Sequence, residues 1–366
     1  MEFSRKDMKI LKGVAILFML SLHLFARKDV GGLYETFSEI NGIPLVYYIG
    51  LFGDACVPIY LFASGYGLYL SLGKLNTMKS KLKKNLIRIL KLLINFWIIL
   101  FLFMAIAFLV GMPEAFSGGI NQFFLNFFLL SSSYNGAWWY LQTYVILVLL
   151  SPVFIKIIQK HHFILVLAVS GIIYSITYLQ RIKHVIDFGD NTALNIVVNA
   201  IVLVGTSQLA FVVGVIFAKE KIYSIIYNWF YNIPFKNALC LMGILMLVII
   251  HGFIETMFIA PFTAIAFICI FNLMNKNELV EELLLFVGDH STNLWLTHMF
   301  FYMTIFPTLV FAVRYPILIF LWLVILCLFT SFGINSLYHP IVKLIDSKLG
   351  GNSKKYQINR DNKSIS

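Results

Sequence analysis

The sequence predicts an all-α fold: a polytopic integral membrane bundle of about ten transmembrane helices, with both termini cytoplasmic. Three observations predict it. The 366 residues are 60% hydrophobic and only 12% charged, where a soluble domain carries about 25% charged residues. Apolar runs long enough to cross a bilayer recur along most of the chain. These runs are continuous, not alternating, which excludes a membrane β-barrel. Cys56, Cys240, Cys269 and Cys327 all fall inside apolar runs without metal-ligand spacing, so no metal is expected.

The spans are expected at residues 10–26, 54–72, 86–110, 137–155, 163–180, 194–217, 238–254, 257–274, 291–312 and 316–338. The first, KGVAILFMLSLHLF from Lys12 to Phe25, has the look of a signal peptide. The charged RKD follows it in place of a small-residue cleavage pattern, so it is expected to be retained. The second, DACVPIYLFASGYGLYLS, carries Ser64, Gly65 and Gly67, small residues that let helices approach closely. Asp54 stands at its outer end as an N-cap, within reach of orienting His23 if the two helices meet. The third leaves a basic run, KKNLIRILK, and the fourth opens with GAWWYLQTY. The fifth and sixth carry no such marker. His251, Gly252 and Glu255 divide the seventh from the eighth as a tight hairpin. The ninth, GDHSTNLWLTHMFFY, has Ser291 as its expected N-cap. The spans form one domain over 1–346, and the Asn-, Lys- and Ser-rich stretch 347–366 reads as a disordered cytoplasmic tail. Residues 29–53 and 111–136 are expected to lie along the outer interface, the second with the Phe-rich NQFFLNFFLLSSS.

The net charge of +11 first suggests nucleic acid. With the N-terminus in the cytoplasm, however, 20 basic residues fall on inside segments and 5 on outside loops. That asymmetry is the positive-inside signature, so the charge reports topology and no nucleic acid is expected. The partners implied by composition are membrane lipids.

Within this layout the first span is the most informative. Lys12 and His23 are eleven residues apart, which is three helical turns plus about 20°. They share one helix face, roughly 16 Å apart along the axis. Ionisable groups inside a bilayer are costly and suggest function. The plainer alternative is an anchor helix whose lysine snorkels to the head groups. Arg88 and Lys91 sit at the cytoplasmic depth of Lys12, with Lys84 just before them. They form an anion pocket or a head-group belt. Trp138, Trp139 and Tyr140 lie at the depth of His23, as an interfacial belt or as faces that stack on sugar rings. Asn293 and His298 lie further in on the ninth span. Neither a Walker loop, a zincin motif nor a nucleophile elbow is present, which leaves imidazole as the main acid–base candidate.

Taken in order, KGVAILFMLSLHLF, CVPIYLFASGYG, RILKLLINFW, GAWWYL and VGDHSTNLWLTHMFF resemble the type-3 membrane acyltransferases, bacterial O-acetyl- and O-acyltransferases of surface glycans. That family has a basic residue and a histidine separated by ten residues in its first span, which Lys12 and His23 match. It also has paired arginines at the start of its third span. Arg88 matches the second, but Asn85 stands at the first, with Lys84 adjacent. The resemblance implies a multi-pass protein of the bacterial cytoplasmic membrane. It implies an acyl donor, acetyl-CoA, held by Lys12, Arg88, Lys84 and Lys91. His23 would be general base or transient acyl acceptor. Trp138, Trp139, Tyr140, Asp54, Ser64, Asn293 and His298 would meet a glycan or lipid-linked sugar. Glycan biosynthesis proteins are possible partners. The competing reading is a transporter or flippase of a polyprenol-linked glycan, whose histidines relay protons.

Overall fold

A computed structural model describes residues 2–361, with side chains through Lys348. The polar tail expected over 347–366 lies almost wholly beyond Lys348, outside the residues described in full. The chain is 80% helical. Among the described residues, eight helices are long and apolar enough to cross a membrane. They are α1 (Arg5–Phe25), α2 and α3 joined (Leu45–Leu51 and Cys56–Leu72), α4 (Met78–Leu109), α6 (Trp139–Lys160), α7 (Phe163–Lys183), α8 (Thr192–Glu220), α10 (Lys236–Phe253) and α14 (Pro316–Asp361). Shorter helices are α5 (Gly119–Phe127), α9 (Ile222–Phe230), α11 (Ala260–Leu273) and α13 (Pro307–Phe311). The long helix α12 (Glu278–Met299) completes the set.

Two of the ten expected spans differ in character from the rest. The eighth is a short apolar helix, Met257–Leu273. The ninth was expected at 291–312, but α12 starts at Glu278 with Asn277 as its N-cap. Ser291, expected to cap it, is instead a buried mid-helix residue. The first turn, with Glu278, Glu281 and Glu282, is charged and largely exposed, so it resembles a loop in the sequence. From Leu284 onward α12 is mostly buried, packing against α1 and α14, and a helix face shielded from lipid need not be apolar.

Helix starts follow local chemistry. Ser4 and Asp7 form a capping box at the N-terminus of α1. Thr77 caps α4, whose first residue Met78 lies eight residues before the expected start. Within α6, Pro152 has no N–H, so the carbonyl of Val148 loses its helical partner. Asn85 Nδ2 donates to that carbonyl at 2.7 Å and Ser151 Oγ donates to it at 2.8 Å. Among the described residues one short hairpin forms between α1 and α2, β1 (Glu39–Ile40) with β2 (Ile43–Pro44). Asn41 and Gly42 both have positive φ, as a type I′ turn requires. The hairpin expected at His251–Glu255 forms between α10 and α11. Lys28 pairs with Glu255 there at 2.6 Å and holds its carboxyl below the usual carboxylate range.

Backbone contact sets the core. A Cβ on Gly13 would stand 2.1 Å from the Leu284 carbonyl oxygen, and one on Gly288 2.3 Å from that of Lys9. α1 and α12 therefore touch through a reciprocal glycine pair. Gly65 and Gly214 do the same for α3 and α8, against Phe211 and Phe62. The ion pairs Lys6–Glu281 and Lys9–Asp289 continue the α1–α12 seam to its polar end.

Candidate active site

Two cavities lie along α1, one at each member of its polar pair. The larger, about 620 Å³, is lined by Lys12, Arg88, Ser64, Asn95, Asn293 and His339 among others. The smaller, about 300 Å³, is lined by His23, Asp54, Trp139, Arg181, Tyr174 and Tyr178 among others. Tyr140 and Trp295 line both.

The Lys12 cavity is built to meet an anion. Nη1 of Arg88 is buried with no hydrogen-bond partner. A guanidinium nitrogen left so costs free energy unless a ligand meets it. Asp289, the carboxylate on this cavity wall, is engaged by Lys9 at 2.7 Å. The same cavity holds an amide ladder: Asn95 Nδ2 donates to Asn293 Oδ1 at 2.7 Å. Asn293 Nδ2 in turn donates to Ser331 Oγ at 2.8 Å and Asn335 Oδ1 at 3.0 Å. His290 Nδ1 meets the same Ser331 hydroxyl at 2.8 Å.

The His23 cavity is arranged around an imidazole. Nδ1 of His23 lies 3.1 Å from Tyr302 Oη, so Nε2 is the nitrogen left for a substrate. Behind it, His298 is fully buried and presents an edge-to-face ring at 4.9 Å. His298 Nδ1 is 2.7 Å from the Trp295 carbonyl oxygen, which only accepts, so this nitrogen carries the proton. Arg181 lies over the Trp139 ring at 5.4 Å.

The fold brings together Lys12, Arg88, Ser64 and Asn293 in one cavity and His23, Asp54, Trp139 and Tyr140 in the other. It separates the remaining expected residues. Lys84 Nζ donates to the Ser71 carbonyl at 2.9 Å, and Lys91 pairs with Asp346 at 2.6 Å. Neither lines either of these two cavities, since their helix positions turn them towards α3 and α14. Asn85 is fully buried and serves α6, so no second cation stands at its position. Asp54 does not cap α3. It lies in the turn Phe52–Ala55, with its carboxylate 3.5 Å from His251 Nε2 on α10. Trp138 is not an interfacial belt residue but a buried strut. The Phe300 N–H turns to the Thr297 carbonyl, freeing that of Leu296. Trp138 Nε1 and Asn135 Nδ2 donate to the Leu296 carbonyl, each at 3.1 Å. A π-helical turn, Phe300–Thr304, follows.

Trp295, Arg181 and Asn95 were not expected in a site, and Tyr302 stood among the polar residues of the ninth span without an assigned role. The spacing Trp295, His298, Tyr302 on one helix face was the available signal for Trp295 and for the role of Tyr302. A family model described as an acyltransferase domain matches residues 5–336. No curated protein and no solved structure matches the chain.

Proposed function

The chain belongs to the type-3 acyltransferase family, and from that premise we propose that it transfers an acetyl group from cytoplasmic acetyl-CoA to a hydroxyl of a surface or lipid-linked glycan. The observation that carries this reading is the pair of cavities on α1. One offers unmatched cations to a phosphorylated donor, and the other offers His23 to an acceptor. In this reading α11 and α12 also cross, giving ten spans in a bacterial cytoplasmic membrane with both termini cytoplasmic. The Lys12 cavity then opens inward.

Lys12 and Arg88 bind the phosphates of the donor as point charge and planar fork. The pantetheine arm lies along α1 towards His23, a separation of roughly 16 Å. His23 Nε2 takes the proton of the acceptor hydroxyl while its oxygen attacks the thioester carbonyl. The same nitrogen serves if the imidazole first carries the acyl group itself. Trp139 presents an aromatic face to the sugar ring.

His23→Ala should abolish base-labile acetyl on the glycan, read by mass spectrometry, while the purified variant melts as the wild type does. Normal acetylation with His23→Ala would refute the role.

A further inference from the structure

The two cavities adjoin at two shared side chains. Tyr140 and Trp295 line both cavities, with ring centroids 5.1 Å apart and edge to face. The two shared rings are held differently. Trp295 Nε1 donates to the Ala137 carbonyl at 3.1 Å, which pins the indole. The Tyr140 hydroxyl is buried and has no hydrogen-bond partner. Its neighbour Tyr60 donates to the Lys12 carbonyl at 3.2 Å. A buried phenol without a partner is costly and calls for an explanation.

We propose that Tyr140 is the gate and the oxyanion donor of the transfer: the partition opens at its side chain, and its hydroxyl donates a hydrogen bond to the carbonyl oxygen of the thioester. The proposal rests on the acetyl-transfer reading. It accounts for the empty hydroxyl, because the partner is the substrate. The donor's acyl end must pass between the Lys12 cavity and the His23 cavity, and the unpinned ring lies on that line. As the acceptor oxygen bonds to the carbonyl carbon, negative charge gathers on the carbonyl oxygen, where the phenol stabilises it. His23 holds the acceptor's proton. The carbon–sulfur bond breaks, and the thiolate leaves with that proton as free coenzyme A thiol. Tyr140 keeps its own proton throughout.

The closed partition has a second consequence. With Tyr140 and Trp295 in contact, water in the His23 cavity is kept from the thioester until the ring moves. Removing the ring should therefore expose the donor to hydrolysis.

The test uses the purified full-length protein with acetyl-CoA, and envelope from cells lacking this protein as acceptor. Thiol release and acetyl incorporation are followed together. Tyr140→Phe keeps the ring, so its melting should match the wild type. Its kcat should fall on the order of 100-fold, with the donor KM unchanged. Tyr140→Ala should release thiol from acetyl-CoA without acceptor several-fold faster than the wild type. A Tyr140→Phe kcat within twofold of wild type overturns the oxyanion role. A raised donor KM with unchanged kcat overturns it too, since that places the hydroxyl in ground-state binding. Acceptor-free release from Tyr140→Ala no faster than from the wild type overturns the gate. A wild-type protein that releases no thiol under either condition sinks the acetyl-transfer reading and this proposal with it.

Discussion

Tyr302 occupies one of the two ring nitrogens of His23. Its oxygen lies 3.1 Å from Nδ1. When Nδ1–H donates to that oxygen, Nε2 carries the lone pair that a general base needs. Tyr302→Phe keeps the ring stacked on His298, at 5.9 Å between centroids, but removes the acceptor. The expected result is a kcat lowered roughly tenfold, equivalent to about 1.4 kcal/mol. The donor KM and the melting temperature should stay as they are. A wild-type kcat would show that the imidazole needs no such partner. Lys12 and His23 were legible in the sequence because the spacing of two polar residues in an apolar helix is a strong signal. Tyr302 was not legible as their companion. It stands in the run FFY, where a phenol is indistinguishable from core until the neighbouring helix is in place.

At the scale of elements, the position of His23 depends on how closely α1 approaches α12. The glycine pair Gly13 and Gly288 sets that distance, since a Cβ on either would collide with backbone oxygen. Backbone cannot move aside as a flexible side chain does, so the helices must part. Gly13→Ala and Gly288→Ala should each cost about 1–3 kcal/mol, read as lowered melting in detergent. The double variant should cost less than the sum, because helices parted once accommodate the second methyl. Gly67→Ala on α3, where nothing lies within 4 Å, should be neutral or slightly stabilising. Strict additivity at the pair would mean that the two contacts are independent. Of the small residues of α3 that read as packing positions, Gly65 meets the backbone of α8, while Gly67 meets nothing and Ser64 lines a cavity. The start of α12 was not readable, because its first turn carries Glu278, Glu281 and Glu282 in an exposed stretch that reads as a loop. Asn85 is a similar case: its partner is a carbonyl freed by Pro152, which no reading of its own segment reveals.

For the whole molecule, charge asymmetry and cavity placement make one joint prediction about sidedness. The chain carries +11 overall, and the basic run Lys79–Lys84 enters α4 at the end where Lys12 and Arg88 line their cavity. Positive-inside bias therefore predicts that the cation cavity faces the cytoplasm and His23 the opposite side. Inverted membrane vesicles should incorporate labelled acetyl from added acetyl-CoA, and sealed right-side-out vesicles should do so only when permeabilised. The ester formed in inverted vesicles should be protected inside the lumen, because the acceptor meets His23 on the far side of the Tyr140–Trp295 partition. Equal incorporation by sealed right-side-out vesicles would reverse the orientation and detach the Lys12 cavity from the donor. Ester confined to the exposed face of inverted vesicles would keep the donor site but place the acceptor beside it. The Tyr140–Trp295 partition would then have no part in the transfer.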